Sequence, residues 1–184
     1  TLEVVCGLLG IKMENRDKLL LAQRAENQFV GVPCGILDQS VSCLGKEDQL
    51  VHIDCAEIAF DRVPMPEGLH FWIFNTNHKH NLVDSLYSAR HRECREALEV
   101  IRSHHTEVRH LALADKKVLK SLEDPTLFKR ARHIITENLR VKAMVAALGS
   151  GDLDAVGKLL FESHFSSRDD FENSIPELDT FVDL

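Results

Sequence analysis

Residues 31–45, GVPCGILDQSVSCLG, carry one carboxylate, Asp38, behind a Gly-Val-Pro-Cys-Gly turn and among uncharged, mostly apolar neighbours. An ionised carboxylate buried without a partner costs far more than a packed methylene contributes, so such a group needs a cation, a donor network or a ligand hydroxyl. On spacing alone two readings stand side by side: Asp38 caps a helix, because carboxylates suit helix N-termini, or it holds a ligand. The ten histidines offer no third chemistry. None has H-x-x-x-H or HExxH spacing, and adjacent His104 and His105 point different ways on a helix, so structural roles are expected for them. Arg168, Asp169, Asp170 and Glu172 read as an ion-pair cluster near a helix end.

Positioning Asp38 falls to three apolar segments. LEVVCGLLGI (2–11) is a short apolar helix, and residues 16–29 place Leu19, Leu20, Ala22, Ala25 and Phe29 at helical intervals behind an Asn15 cap. Gly31 and Pro33 break that helix. A third, from about Cys34 to Leu44, is ended by Gly45 and holds Asp38 in or near its first turn. QLVHIDC (49–55), IAFDRV (58–63) and LHFWIFNT (69–76) read as three strands, the last behind a Met-Pro-Glu-Gly turn. A helix is expected over 81–104, then short elements to residue 121. Asp124-Pro125 opens a long helix to about Leu148 with Phe128, Ile135, Leu139, Ala143 and Ala146 on one face, ended by Gly149 to Gly151. Residues 152–164 form another helix, and a Ser174–Glu177 capping box starts one more.

Composition narrows the function classes. With 184 residues, 44% apolar and 28% charged, the chain can bury a core as one domain or two small ones. A net charge of −7 gives no electrostatic footprint for nucleic acid. Cys6, Cys34, Cys43, Cys55 and Cys94 are irregularly spaced without a CxxC pair, which fits reduced thiols and an intracellular setting. No run approaches the roughly 20 apolar residues that cross a bilayer. A cytoplasmic protein without a membrane partner is the expectation.

Together with RAENQFVG (24–31), the segment around Asp38 resembles the central block of galactokinases, in the GHMP sugar-kinase superfamily. NTNHKHNLVDSLYSARHREC (75–94), RARHIITENLR (130–140) and ESHFSSRDDFENSIPELD (162–179) continue the resemblance in the family's order, over nearly the whole chain. Lys79-His80-Asn81 and Ile175 depart from frequent family residues. The resemblance implies an α+β, GHMP-kinase-like fold: residues 1–64 as the end of an S5-like N-terminal catalytic domain, and 65–184 as most of a ferredoxin-like C-terminal domain. It implies ATP-dependent phosphorylation of the anomeric hydroxyl of galactose, with Asp38 as catalytic aspartate. Glu26 stands where the family has a Mg²⁺ ligand, Tyr87 where it has a sugar-contacting tyrosine, and Gly35 is a backbone that can approach the sugar for want of a side chain. From the bare residues, Glu26 is equally a solvated helix glutamate and Tyr87 a core or surface residue. The implied partners are galactose, ATP and Mg²⁺, with the protein a monomer.

A kinase also needs backbone N–H groups to cradle phosphates. The nine glycines are scattered, with no GxxxxGK or GxGxxG. In galactokinases the GLSSSA phosphate loop precedes the helix that opens this chain, GEHxDY lies earlier, and a further glycine-rich motif follows the Pro-Glu-Leu-Asp helix. The chain is accordingly expected to be the middle of a galactokinase, inactive alone. Two alternatives remain: a related 1-kinase for N-acetylgalactosamine or L-arabinose, and a regulator that binds sugar and ATP without turnover.

Overall fold

The computed structural model describes residues 2–31, 34–76 and 84–184, the side chains of 84–87 excepted. The chain divides into two compact units, Thr1–Glu67 and Gly68–Leu184.

In the first unit, helix α1 (Leu2–Leu9) precedes α2 (Asn15–Arg24), which continues without a break into a π-helical turn, Ala25–Val30. The i→i+5 bond from Gly31 N–H to Glu26 O (2.9 Å) closes that turn, and Gly31 terminates it at φ 84°, a conformation open to glycine. Leu19 is fully buried, as its position in the apolar line requires. Phe29 is 93% exposed. The wider turn carries it off the line that regular α-helical spacing would set. Asn15 does not cap α2. It is the first helical residue, behind Glu14, and its side chain donates to Cys43 O (3.2 Å) at the far end of α3, Leu37–Leu44.

Strands β1 (Gln49–Asp54) and β2 (Ala59–Pro64) pair antiparallel, Gln49 opposite Pro64 and Asp54 opposite Ala59. They form the one sheet among the described residues. The expected third strand over 69–76 is irregular backbone, with Phe71, Trp72, Ile73 and Phe74 exposed. β-rich composition provides side chains that suit a pleated surface, but a strand exists only where another backbone completes its ladder.

The second unit is helical. Helix α4 (Asp84–His104) packs against α5 (Pro125–Ser150), and α5 against α6 (Leu153–Ser166). Ala97, Ile101, Val108, Leu111, Val118, Leu119, Leu122, Ala131 and Ile135 form its core, so the short 3₁₀ turns Leu111–Leu113 and Lys116–Ser121 cover the α4–α5 seam. Asp124 caps α5, accepting from Thr126 N–H (2.7 Å) and Leu127 N–H (3.0 Å), with Pro125 in the first turn. Gly151, at φ 71°, ends it. Of the expected α5 face, Ile135 is buried and Phe128 packs on the core, whereas Leu139, Ala143 and Ala146 are exposed. The buried stripe instead ends on Ala147 and Leu148. α6 runs into a second π-helical turn, Ser167–Phe171, before α7 (Pro176–Asp183). The Ser174 capping box is not formed. Ile175 is the N-cap, and the Ser174 hydroxyl donates to Asp179 Oδ1 (2.6 Å).

Candidate active site

Helix α3 turns Ile36 and Ser40 inward; the Ser40 hydroxyl is fully buried and donates to Ile36 O (2.6 Å). The opposite face carries Leu37, Asp38 and Val41, all exposed. Asp38 is therefore neither the buried charge that its apolar neighbours suggest nor a cap. The residue before α3 is Ile36, without a side-chain cap bond. The carboxylate stands open in the first turn, at the positive end of the helix dipole.

Glu26 lies in the π-helical turn after α2 and is likewise exposed. Among the described residues, neither carboxylate has an ion-pair or hydrogen-bond partner, so both are free to engage a ligand. Gly35 is exposed, and a Cβ built there would meet nothing within 4 Å. Tyr87 lies in the first turn of α4, in the second unit, with its side chain outside the described residues.

The segment joining Glu26 to Asp38 is fastened at Cys34. Its N–H donates to Asn27 Oδ1 (2.9 Å), its thiol lies 3.4 Å from the same oxygen, and its carbonyl accepts from Gln23 Nε2 (3.2 Å). From α3, Gln39 Nε2 donates to Cys34 Sγ (3.7 Å), while Gln39 Oε1 is buried without a partner among the described residues. Of these four residues, Asn27 and Gln23 escape sequence reasoning, because amides on a helix carry no periodic signal.

In the second unit the missed feature is Arg130, 2% exposed within α5. It donates to Glu93 Oε2 (2.6 Å), Glu172 Oε2 (2.8 Å) and the Asp170 carbonyl. Arg90 joins the same acids and donates to Phe171 O (2.6 Å). Arg132 pairs with the Asp170 carboxylate, and Lys129 with Glu172 (3.5 Å). Burial works to raise the Glu93 pKa, but the hydrogen bonds from Arg130 and Arg90 outweigh it and hold the carboxyl below its usual range. The bond from Arg130 lowers Glu172 in the same sense. The expected ion-pair cluster thus exists in altered form: among the described residues Arg168 pairs with its neighbour Asp169, while Asp170 and Glu172 reach across to α5. Burial raises the Cys94 thiol to about 11, which makes it an inert packing group. His133, stacked on Phe171 (centroids 4.4 Å) with Nδ1 2.9 Å from Ser166 Oγ, is held low by burial.

Among the described residues, no group of three His, Cys, Asp or Glu side chains could enclose a metal by itself. Glu26 offers a single hard-oxygen donor. That suits Mg²⁺ shared with nucleotide phosphates, since this ion keeps waters and needs few protein ligands. A hollow of about 490 Å³ beside Val100, His104, Lys120 and Asp124 is an open groove with none of the candidate residues. No helix among the described residues is long and apolar enough to cross a membrane.

Residues 1–46 match the family model of the GHMP kinases N terminal domain. This segment contains Glu26, Gly35 and Asp38. A solved galactokinase from Lactococcus lactis, complexed with galactose, superposes with a TM-score of 0.85 at 32% sequence identity, over 96% of this chain and 47% of its own. The chain spans about half the length of that structure. The superposition agrees with the mixed, helix-rich α+β architecture expected from the sequence.

Proposed function

We propose that the chain, whose residues 1–46 match the GHMP kinases N terminal domain and which resembles a galactokinase structure at 32% identity, is of galactokinase type and belongs to an enzyme that transfers the γ-phosphoryl group of ATP to the anomeric hydroxyl of galactose. In this reading, the first unit is the end of the family's N-terminal catalytic domain and the second most of its C-terminal domain. The protein acts as a cytoplasmic monomer.

One observation carries the reading: within the segment that matches the GHMP kinases N terminal domain, Asp38 presents an exposed carboxylate, without a partner among the described residues, from the first turn of α3. Phosphoryl transfer leaves the protein little covalent work, so position and charge dominate. The Asp38 carboxylate accepts a hydrogen bond from the sugar C1 hydroxyl and directs its oxygen toward the γ-phosphorus. The new O–P bond forms as the bond to the β–γ bridging oxygen breaks and ADP departs. The hydroxyl proton passes to Asp38 once partial bonding to phosphorus has made it acidic. Glu26 would be the protein ligand to Mg²⁺, which when bound offsets phosphate charge. Tyr87 would contact the sugar ring, and the Gly35 backbone would approach the sugar for want of a side chain.

The test is ADP release by the purified protein containing this chain, with galactose, N-acetylgalactosamine and L-arabinose as acceptors. We expect turnover on galactose. Asp38→Asn should lower kcat by about three orders of magnitude with the sugar KM little changed, because an amide still hydrogen bonds but cannot take the proton. A loss of less than tenfold would remove Asp38 from the chemistry. Binding of galactose and ATP without turnover by the wild type would favour the regulator.

A further inference from the structure

We propose that Asn27 is a positioning residue that sets the spacing of Glu26 and Asp38 by holding Cys34 between them. The proposal rests on the sugar-kinase reading for its catalytic consequence, and on geometry alone for the tie itself.

Glu26 and Asp38 sit on two different elements joined by a connection that contains Gly31 and Gly35. Such a connection does not by itself hold two carboxylates in register, because glycine leaves many backbone states open. Among its described residues, Cys34 ties it to both flanking helices, in addition to the packing of α2 on α3. Asn27 is the immediate neighbour of Glu26, Gln39 of Asp38, and both reach Cys34. The result is a continuous bridge: Glu26–Asn27, then Cys34, then Gln39–Asp38. Every polar group of Cys34 takes part, since its N–H and thiol meet Asn27 Oδ1, its carbonyl takes a hydrogen from Gln23, and its sulfur also accepts from Gln39.

The strengths differ. The backbone donor to Asn27, at 2.9 Å, has the length of a good N–H···O bond, whereas the sulfur contacts are weak. Asn27 therefore contributes most to the bridge. The π-helical turn also matters. Its extra residue places Asn27 beside Cys34 while Glu26 stays exposed, a use of π-turns that recurs at functional sites. Asn27 is itself exposed and outside the core, so truncating it leaves the packing of the unit intact.

The experiment compares Asn27→Ala and Asn27→Asp with the wild type in the protein that contains this chain. In Asn27→Ala the Cys34 amide should exchange with solvent at least tenfold faster while α2 amides keep their protection, and kcat should fall about 10²-fold with both KM values within about threefold, the cost of roughly 1 Å of misplacement. Asn27→Asp, which keeps the accepting oxygen, should restore Cys34 protection and most of kcat. The positioning role is overturned if Asn27→Ala frees the Cys34 amide yet keeps kcat within threefold. It is also overturned if kcat, both KM values and the α2 amides deteriorate together without rescue by aspartate. A wild type inactive on galactose would instead end the sugar-kinase reading, and exchange at Cys34 would then decide the tie alone.

Discussion

Arg130 places a permanent charge where α4, α5 and the second π-helical turn meet, and its worth depends on its acids. Burying a guanidinium is unfavourable unless its donors are matched, and here all three of its bonding nitrogens find oxygen. Replacing Arg130 with Met leaves the Asp170 carbonyl and part of Glu93 without their donor. We expect a loss of about 3 kcal/mol, at the lower end for a broken buried pair because Arg90 still reaches Glu93. Hydrogen exchange of the α5 amides measures it. The same network sets an acid limit. Folded Glu93 and Glu172 have pKa values below those of the unfolded chain, so their stabilisation is complete above about pH 4.3 and fades as pH falls through the folded values. Glu172 is almost half exposed, which leaves the larger share to Glu93. Acid titration of α5 protection should show this loss, and Arg130→Met should flatten it. An unchanged acid profile in the variant would mean the pairs do not carry the effect.

At the scale of elements, helix α5 depends on local chemistry at both ends. Asp124 satisfies two N–H groups of its first turn, so Asp124→Ala should cost about 1 kcal/mol, read as earlier exchange of the Thr126 and Leu127 amides. If those amides remain protected, the cap is redundant with core packing around Leu127 and Phe128. Such ends are readable from sequence because they are made by neighbours: Asp124-Pro125 and Gly151 announce α5, and Gly45 announces the end of α3. What was not readable depends on distant partners. The third strand failed because residues 69–76 find no ladder among the described residues. Ser174 signalled a cap, but Asp179 offered its hydroxyl a better acceptor. The π-helical turn Ala25–Val30 breaks 3.6-residue periodicity, so Phe29 leaves the face that its spacing predicts. At the candidate site, the place of Asp38 in a first turn follows from the Gly31–Pro33 break and the apolar run ended by Gly45. Its exposure did not, since that depends on which α3 face meets α2. Arg130 was invisible because an arginine on a helix reads as solvated until Glu93 and Glu172 are brought to it.

For the whole molecule, the consequence of that missing ladder is four consecutive apolar side chains in water. Phe71, Trp72, Ile73 and Phe74 are 69%, 80%, 98% and 66% exposed. Single exposed apolar residues are ordinary, but a contiguous run of this size favours association. Phe74 alone has a ring partner among the described residues, Phe181 at 5.5 Å. Strands β1 and β2 add a hairpin with unpaired outer edges among the described residues, and a two-stranded sheet does little to protect them. The 184-residue chain by itself should therefore self-associate, and Trp72, its only tryptophan, reports on this directly. In dilute solution its emission should be that of a water-exposed indole, shifting to the blue as concentration and light scattering rise together. Salt should change this little, since the contact is apolar rather than ionic. Ile73→Lys keeps the reporter and places a charge at the most exposed point of the run, so it should move the onset of association to at least tenfold higher concentration without altering α5 protection. If scattering rises while Trp72 emission stays red, or if Ile73→Lys leaves the onset where it was, the contact lies elsewhere and the β1–β2 edges become the surface responsible.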